Sequence, residues 1–128
     1  MNTAKIMMAC ALAALISSQP LAAQPASSGK SKSDQKILMK NWALSICFAQ
    51  ITRDETTKKD ASATARAYLE NSQQGLEAFE QIGKLVNKYA NLKYGGSDKS
   101  DYNTMKCIDL FHSKELDRLV SSHVKQGR

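Results

Sequence analysis

Cys107, Asp109 and His112 fall within six residues in the stretch "YNTMKCIDLFHSKELDRLV", residues 102–120. A thiol, a carboxylate and an imidazole are the groups of a nucleophilic centre, in which the imidazole takes the thiol proton and the acid orients the imidazole. Their spacing argues against that use. On a helix of about 100° per residue, Cys107 and Asp109 point roughly 160° apart, and Cys107 and His112 about 140° apart. Asp109 and His112 are neighbours at i, i+3, whereas the cysteine faces elsewhere. A break in the helix at His112 would restore the geometry, and a bridge to a second cysteine would remove the nucleophile. Cys107 shares its side with Ile108 and Phe111, an apolar face that suits such a bridge.

The start of the chain bears on which of these holds. The chain has 128 residues, which favours one domain. Lys5 precedes an apolar run, Ile6 to Ile16, and "SSQPLAA" follows with small residues. This is the pattern of a secretory signal peptide, residues 1–23, and the run is too short for a membrane-spanning helix. A lipid anchor on Cys10 would need the apolar run before the cysteine rather than after it. Cleavage after Ala23 leaves 105 residues and two of the three cysteines, Cys47 and Cys107. In an oxidising compartment such a pair reads as a disulfide. A bridge between positions 60 apart contributes roughly 4 kcal/mol in the chain-entropy account. Two free thiols would instead revive a Cys–His enzyme.

The net charge of +6 falls to +5 without Lys5 and is spread along the chain. Export and the lack of aromatic-interleaved basic clusters argue against a nucleic-acid partner. Two cysteines and two distant histidines lack metal-ligand spacing, so no metal is expected. No phosphate-binding glycine loop, nucleophile elbow or HExxH helix points to a cofactor or another catalytic class. Glu77 and Glu80 share a helical face and read as solvated.

These residues need elements to hold them, and the elements are helical. Residues 24–33, "QPASSGKSKS", read as a flexible mature N-terminus that contains Pro25, the last proline. Residues 34–125 form the helical domain. A first helix starts near Ser33 or Asp34 and is apolar on nearly every side from Trp42 to Ile51, as a central helix would be, with Trp42 as its anchor. A second runs from about Asp54 or Asp60 to Asn71, with a small inner face of Ala61, Ala65, Tyr68 and Leu69 that fits a closely approaching helix of the same chain or of a second copy. "NSQQG" is a turn. A third helix carries the stripe Leu76, Phe79, Gly83, Val86 and Tyr89 or Ala90. Its outer face bears Glu77, Glu80, Lys84, Asn87 and Lys88, with Glu80 and Lys84 at i, i+4.

Residues 93–103, "KYGGSDKSDYN", are the strongest loop signal after the leader: two glycines, then short polar side chains. The loop is long for a helix–helix connection, and such loops tend to carry recognition. A further helix starts with Asp101 or Asn103 as cap and covers Met105 to Phe111, Ser113 caps a further turn, "KELDRLVSSHV", with Leu116, Leu119 and Val120 apolar, and the final "KQGR" frays. The fold class is all-α, a compact bundle of four to five helices with one disulfide.

The segment "YNTMKCIDLFHSKELDRL" closely resembles the C-terminal signature of the type VI secretion amidase immunity proteins. "NWALSICFAQI", "DASATARAYLE" and "GLEAFEQIGKLVNKY" are similar to the first three helices of that family, so the resemblance runs over about residues 37–120. It implies a periplasmic, non-enzymatic homodimer. Its partner would be a papain-like peptidoglycan amidase that cuts between D-glutamate and meso-diaminopimelate. It also implies that the loop between the third and fourth helices enters the amidase groove: Gly95, Gly96, Ser97, Asp98, Lys99, Ser100 and Asp101 here. The third helix of the other subunit, with Glu80, Lys84 and Asn87, would add contacts. Asp98 would face the catalytic histidine. The other class left open by the residues is a periplasmic adaptor for some different protein.

Overall fold

The computed structural model describes residues 30–126, and the leader 1–23 lies outside them. Five helices follow in order: α1 Lys32–Ile51, α2 Glu55–Glu70, α3 Leu76–Ala90, α4 Asn103–His112 and α5 Lys114–Gln126. No strand occurs among the described residues.

The first helix begins slightly earlier than expected. Ser31 caps it, accepting from the Asp34 N–H at 3.2 Å, while the Asp34 carboxylate accepts from the Ser31 N–H at 3.0 Å. This reciprocal box satisfies two donors that the helix end would leave unpaired. Ser33 and Asp34 therefore lie in the first turn. Asp54 caps α2 through the Thr57 N–H at 2.6 Å. That bond and its neighbours hold the Asp54 carboxyl below its ordinary pKa. Ser113 serves two helices: it ends α4, and its Oγ accepts from the Leu116 N–H at 3.1 Å to start α5. The element after Ser113 is α5, a helix of 13 residues that contains the whole segment expected there.

α1 touches all four other helices, as an all-round apolar helix must. Met39, Ala43 and Cys47 on it meet Ile82 and Val86 of α3, Cys107 and Leu110 of α4, and Leu116, Val120 and Val124 of α5 in one core. Trp42 lies at the margin of this core rather than at its centre, edge-on to Phe79 with ring centroids 5.1 Å apart. The buried stripe of α3 is Ala78, Phe79, Ile82 and Val86; Leu76 is 68% exposed. That stripe is turned by about one residue from the one expected, because Leu76–Phe79–Gly83 and Phe79–Ile82–Val86 both satisfy helical spacing. α2 docks on α1 alone and buries only Ala65 fully, so its small inner face finds its partner within the chain.

Polar ties close the bundle. Lys40 bridges Asp117 at 2.6 Å and lies over the Phe111 ring, joining α1, α4 and α5. Lys88 and Tyr89 both donate to Glu115, joining α3 to α5. Those bonds, Lys88 first, lower the Glu115 pKa, and Glu115 in turn raises that of Lys88. The expected Glu80–Lys84 pair is absent among the described residues; Lys88 carries the ion pair of this helix instead.

Candidate functional site

Cys47 and Cys107 form a disulfide, with Cα atoms 5.6 Å apart and both residues fully buried. The thiol of the apparent nucleophilic triad is consumed in a covalent tie between α1 and α4. Asp109 does not pair with His112. It accepts from the Tyr94 hydroxyl at 2.6 Å, while the exposed His112 ring lies edge-on to Phe111. Ile108 is 49% exposed, so the apolar side of α4 does not include it; the buried residues there are Lys106, Cys107 and Leu110. No cluster of three potential metal ligands occurs among the described residues.

The region that remains is the connection between α3 and α4. It spans residues 91–102, starting slightly before the expected loop, and Gly95 through Asp101 are all exposed in it. Its two ends are fastened. At the α3 end, the Tyr94 hydroxyl is bound by the Asp109 carboxylate, which pushes the Tyr94 pKa up to about 12, with desolvation adding to the rise. At the α4 end stands Tyr102, a non-glycine residue in the left-handed region, φ 49° and ψ 39°. A side chain in that conformation costs roughly 1–2 kcal/mol, so the surroundings must hold it. The Tyr102 carbonyl accepts from the Lys106 N–H at 3.3 Å, and its N–H donates to Ser100 Oγ at 3.1 Å. Its hydroxyl accepts from the Asp98 N–H at 3.3 Å, and the Ser100 N–H donates to the Asp98 carbonyl at 2.9 Å.

Gly96 has no positive φ, so it is not there for backbone freedom. A Cβ on it would overlap the hydroxyl end of the Tyr102 ring, whereas a Cβ on Gly95 would meet nothing. The close approach at Gly96 is therefore internal to the loop. Beside the loop root, Arg53, Asp101, Tyr102, Met105 and Ile108 line an open depression of about 740 Å³. Arg53 reaches Asp101 at 3.4 Å across it.

Glu80, Lys84 and Asn87 are exposed on α3. Glu80 lies ten residues, about 15 Å of helix, back from where the loop leaves α3. Asn87 is partly engaged already, accepting from Gln50 of α1 at 2.8 Å. Sequence reasoning missed Tyr94, Tyr102 and Arg53. The available signal was the pair of tyrosines flanking the glycine-rich run. Chemically, the loop offers N–H groups, hydroxyls and carboxylates on a held frame. It offers no activated nucleophile.

Among curated proteins, none matches the chain in sequence. A chain from the effector–immunity system Tae4/Tai4 of Salmonella typhimurium is 46% identical, with a TM-score of 0.65 over 73% of this chain and 94% of that one. A chain from the Tae4–Tai4 complex of Enterobacter cloacae is 28% identical, with a TM-score of 0.62 over 77% and 98%. A third, from work on type VI-secreted toxins and self-resistance proteins in Serratia marcescens, is 33% identical, with a TM-score of 0.66 over 73% and 77%. The family model Tai4, type VI secretion system (T6SS) amidase immunity protein, matches residues 37–120. The chain therefore belongs to the Tai4 family of type VI secretion amidase immunity proteins.

Proposed function

We propose that this protein protects its cell by binding a Tae4-type peptidoglycan amidase and blocking its groove with the α3–α4 loop. The observation that carries the reading is the family match over nearly the whole helical body, joined to an exposed loop whose two ends are fastened to that body. Solved relatives occur as Tae4–Tai4 complexes, including one that pairs the Salmonella typhimurium effector with the Enterobacter cloacae immunity protein.

The chain performs no chemistry in this reading, and its cysteines serve as a tie. Inhibition needs only a complex. Ser97 to Asp101 supply polar contacts, Asp98 faces the catalytic histidine of the amidase, and electrostatic complementarity speeds encounter and selects the partner. A second copy of the chain contributes Glu80, Lys84 and Asn87 from its own α3. Glu80 stands three turns from the loop's departure point, which favours that assignment to a partner copy. The site of action is the periplasm, where peptidoglycan lies, and the signal-like residues 1–23 would deliver the chain there.

The test uses the oxidised protein and the amidase of the same strain, with the Salmonella typhimurium effector as a second probe, and follows cleavage of muropeptides. Replacing residues Gly95 to Ser100 by a two-residue linker should abolish inhibition while the helical body keeps its melting transition. Full inhibition by a folded loop-exchange variant would reject the loop as the blocking element. No inhibition and no complex with the same-strain enzyme would reject the immunity role and favour an adaptor for another protein.

A further inference from the structure

We propose that Tyr102 is the positioning residue of the inhibitory loop, and that its ring, closed over Gly96, holds Ser97–Asp101 in a preset arch before any partner arrives. The inference rests on the functional reading above and adds a mechanism to it.

Three observations converge on one residue. Tyr102 carries the single left-handed non-glycine backbone among the described residues. Its ring occupies the space where any side chain at position 96 would begin. Its hydroxyl and its own N–H reach back to Asp98 and Ser100, so the polar stretch is tied at two points to the same tyrosine. A strained conformation kept by a surrounding network is a sign of preorganisation. The stretch so held, Ser97–Asp101, is exposed throughout, so no burial of its own side chains fixes its shape. A loop arranged beforehand loses less freedom when it binds, which is where preset binders gain affinity. The left-handed turn also directs the chain from the arch into α4, whose Cys107 is fixed to α1 one and a half turns later.

The inference makes the two residues one device. Gly96→Ala acts only by driving the ring away, so it should matter only while the ring is present. The experiment is a double-mutant cycle of Gly96→Ala and Tyr102→Gly in the oxidised protein. Glycine at 102 keeps the left-handed backbone accessible and removes the ring. Two quantities are read: backbone order of residues 97–101 by nitrogen-15 relaxation in the free protein, and the inhibition constant against the amidase used above.

Each single variant should bring order parameters in the arch below about 0.6 and weaken inhibition about tenfold or more. The melting transition of the body should stay unchanged. The double variant should be no worse than the worse single one. Tyr102→Phe keeps the ring over Gly96 but loses the Asp98 contact, so it should weaken inhibition by only a few fold. Additive losses in the cycle, or an arch as ordered in the single variants as in the parent, would overturn the inference. If the parent does not inhibit at all, the functional reading falls, and the order parameters alone still decide whether Tyr102 sets the loop.

Discussion

The helical body and the α3–α4 loop are held in different ways. In the body, α1 shares one core with residues of α3, α4 and α5, and a covalent tie adds to it. Many contacts vouch for each position, so the loss of one is diluted. In the loop, a handful of specific bonds and one ring-over-glycine contact carry the shape. The body is therefore redundant and the loop is not. An inhibitor gains from that division, because the element that must match a partner can be altered without unfolding the element that presents it.

The largest expected effect tests the body. Changing Cys47 and Cys107 together to Ala should lower its stability by roughly 4 kcal/mol, read as an earlier midpoint in urea. Inhibition by the molecules that remain folded should persist. Its loss at low temperature would mean that the arch depends on the bridge, and the division would fail.

Two glycines sharpen the contrast. Gly83 sits inside α3, and a Cβ there would lie 3.8 Å from the Trp42 ring, an ordinary contact. Gly83→Ala should therefore stabilise the protein by about 0.5–1 kcal/mol through helix propensity, seen as a rise in melting temperature. Destabilisation would show that the Trp42–Phe79 edge is tighter than it looks. The same substitution at Gly96 should leave melting alone and damage binding.

The smallest effect concerns the α3 end of the loop. Tyr94 has a folded pKa of about 12 against an ordinary 10.0. Its raised value means that the bond to Asp109 contributes in full below pH 10, and that the contribution is lost as pH rises toward 12. Phenolate absorbance should show Tyr94 titrating late, and Asp109→Asn should return it toward pH 10. An absorbance curve that Asp109→Asn leaves unchanged would show that this fastening is loose in solution.

What the sequence makes legible follows the same division. The absence of proline after Pro25 and the all-round apolar run from Trp42 to Ile51 suffice to announce a helical body with a central first helix. The cysteine pair is legible as a bridge once the leader is read as removed. Finer choices are not. Ser31, Ser33 and Asp34 are all competent caps, and only the closed box picks Ser31. Leu76 and Ile82 both extend a stripe through Phe79, and only the direction of α1 and α5 decides between them. For the loop, its position is legible from Gly95-Gly96 and its shape is not. Nothing in local propensity favours a left-handed tyrosine, and nothing in the spacing shows that its ring would lie where a side chain at Gly96 would begin.

The covalent tie has a mechanical side. A load applied to the loop by a departing or struggling partner enters α4 at Tyr102 and meets Cys107 five residues later. From there it passes through a chemical bond into α1, the one helix that touches all the others. Traction on the loop is therefore shared by the whole bundle instead of peeling away a single ten-residue helix.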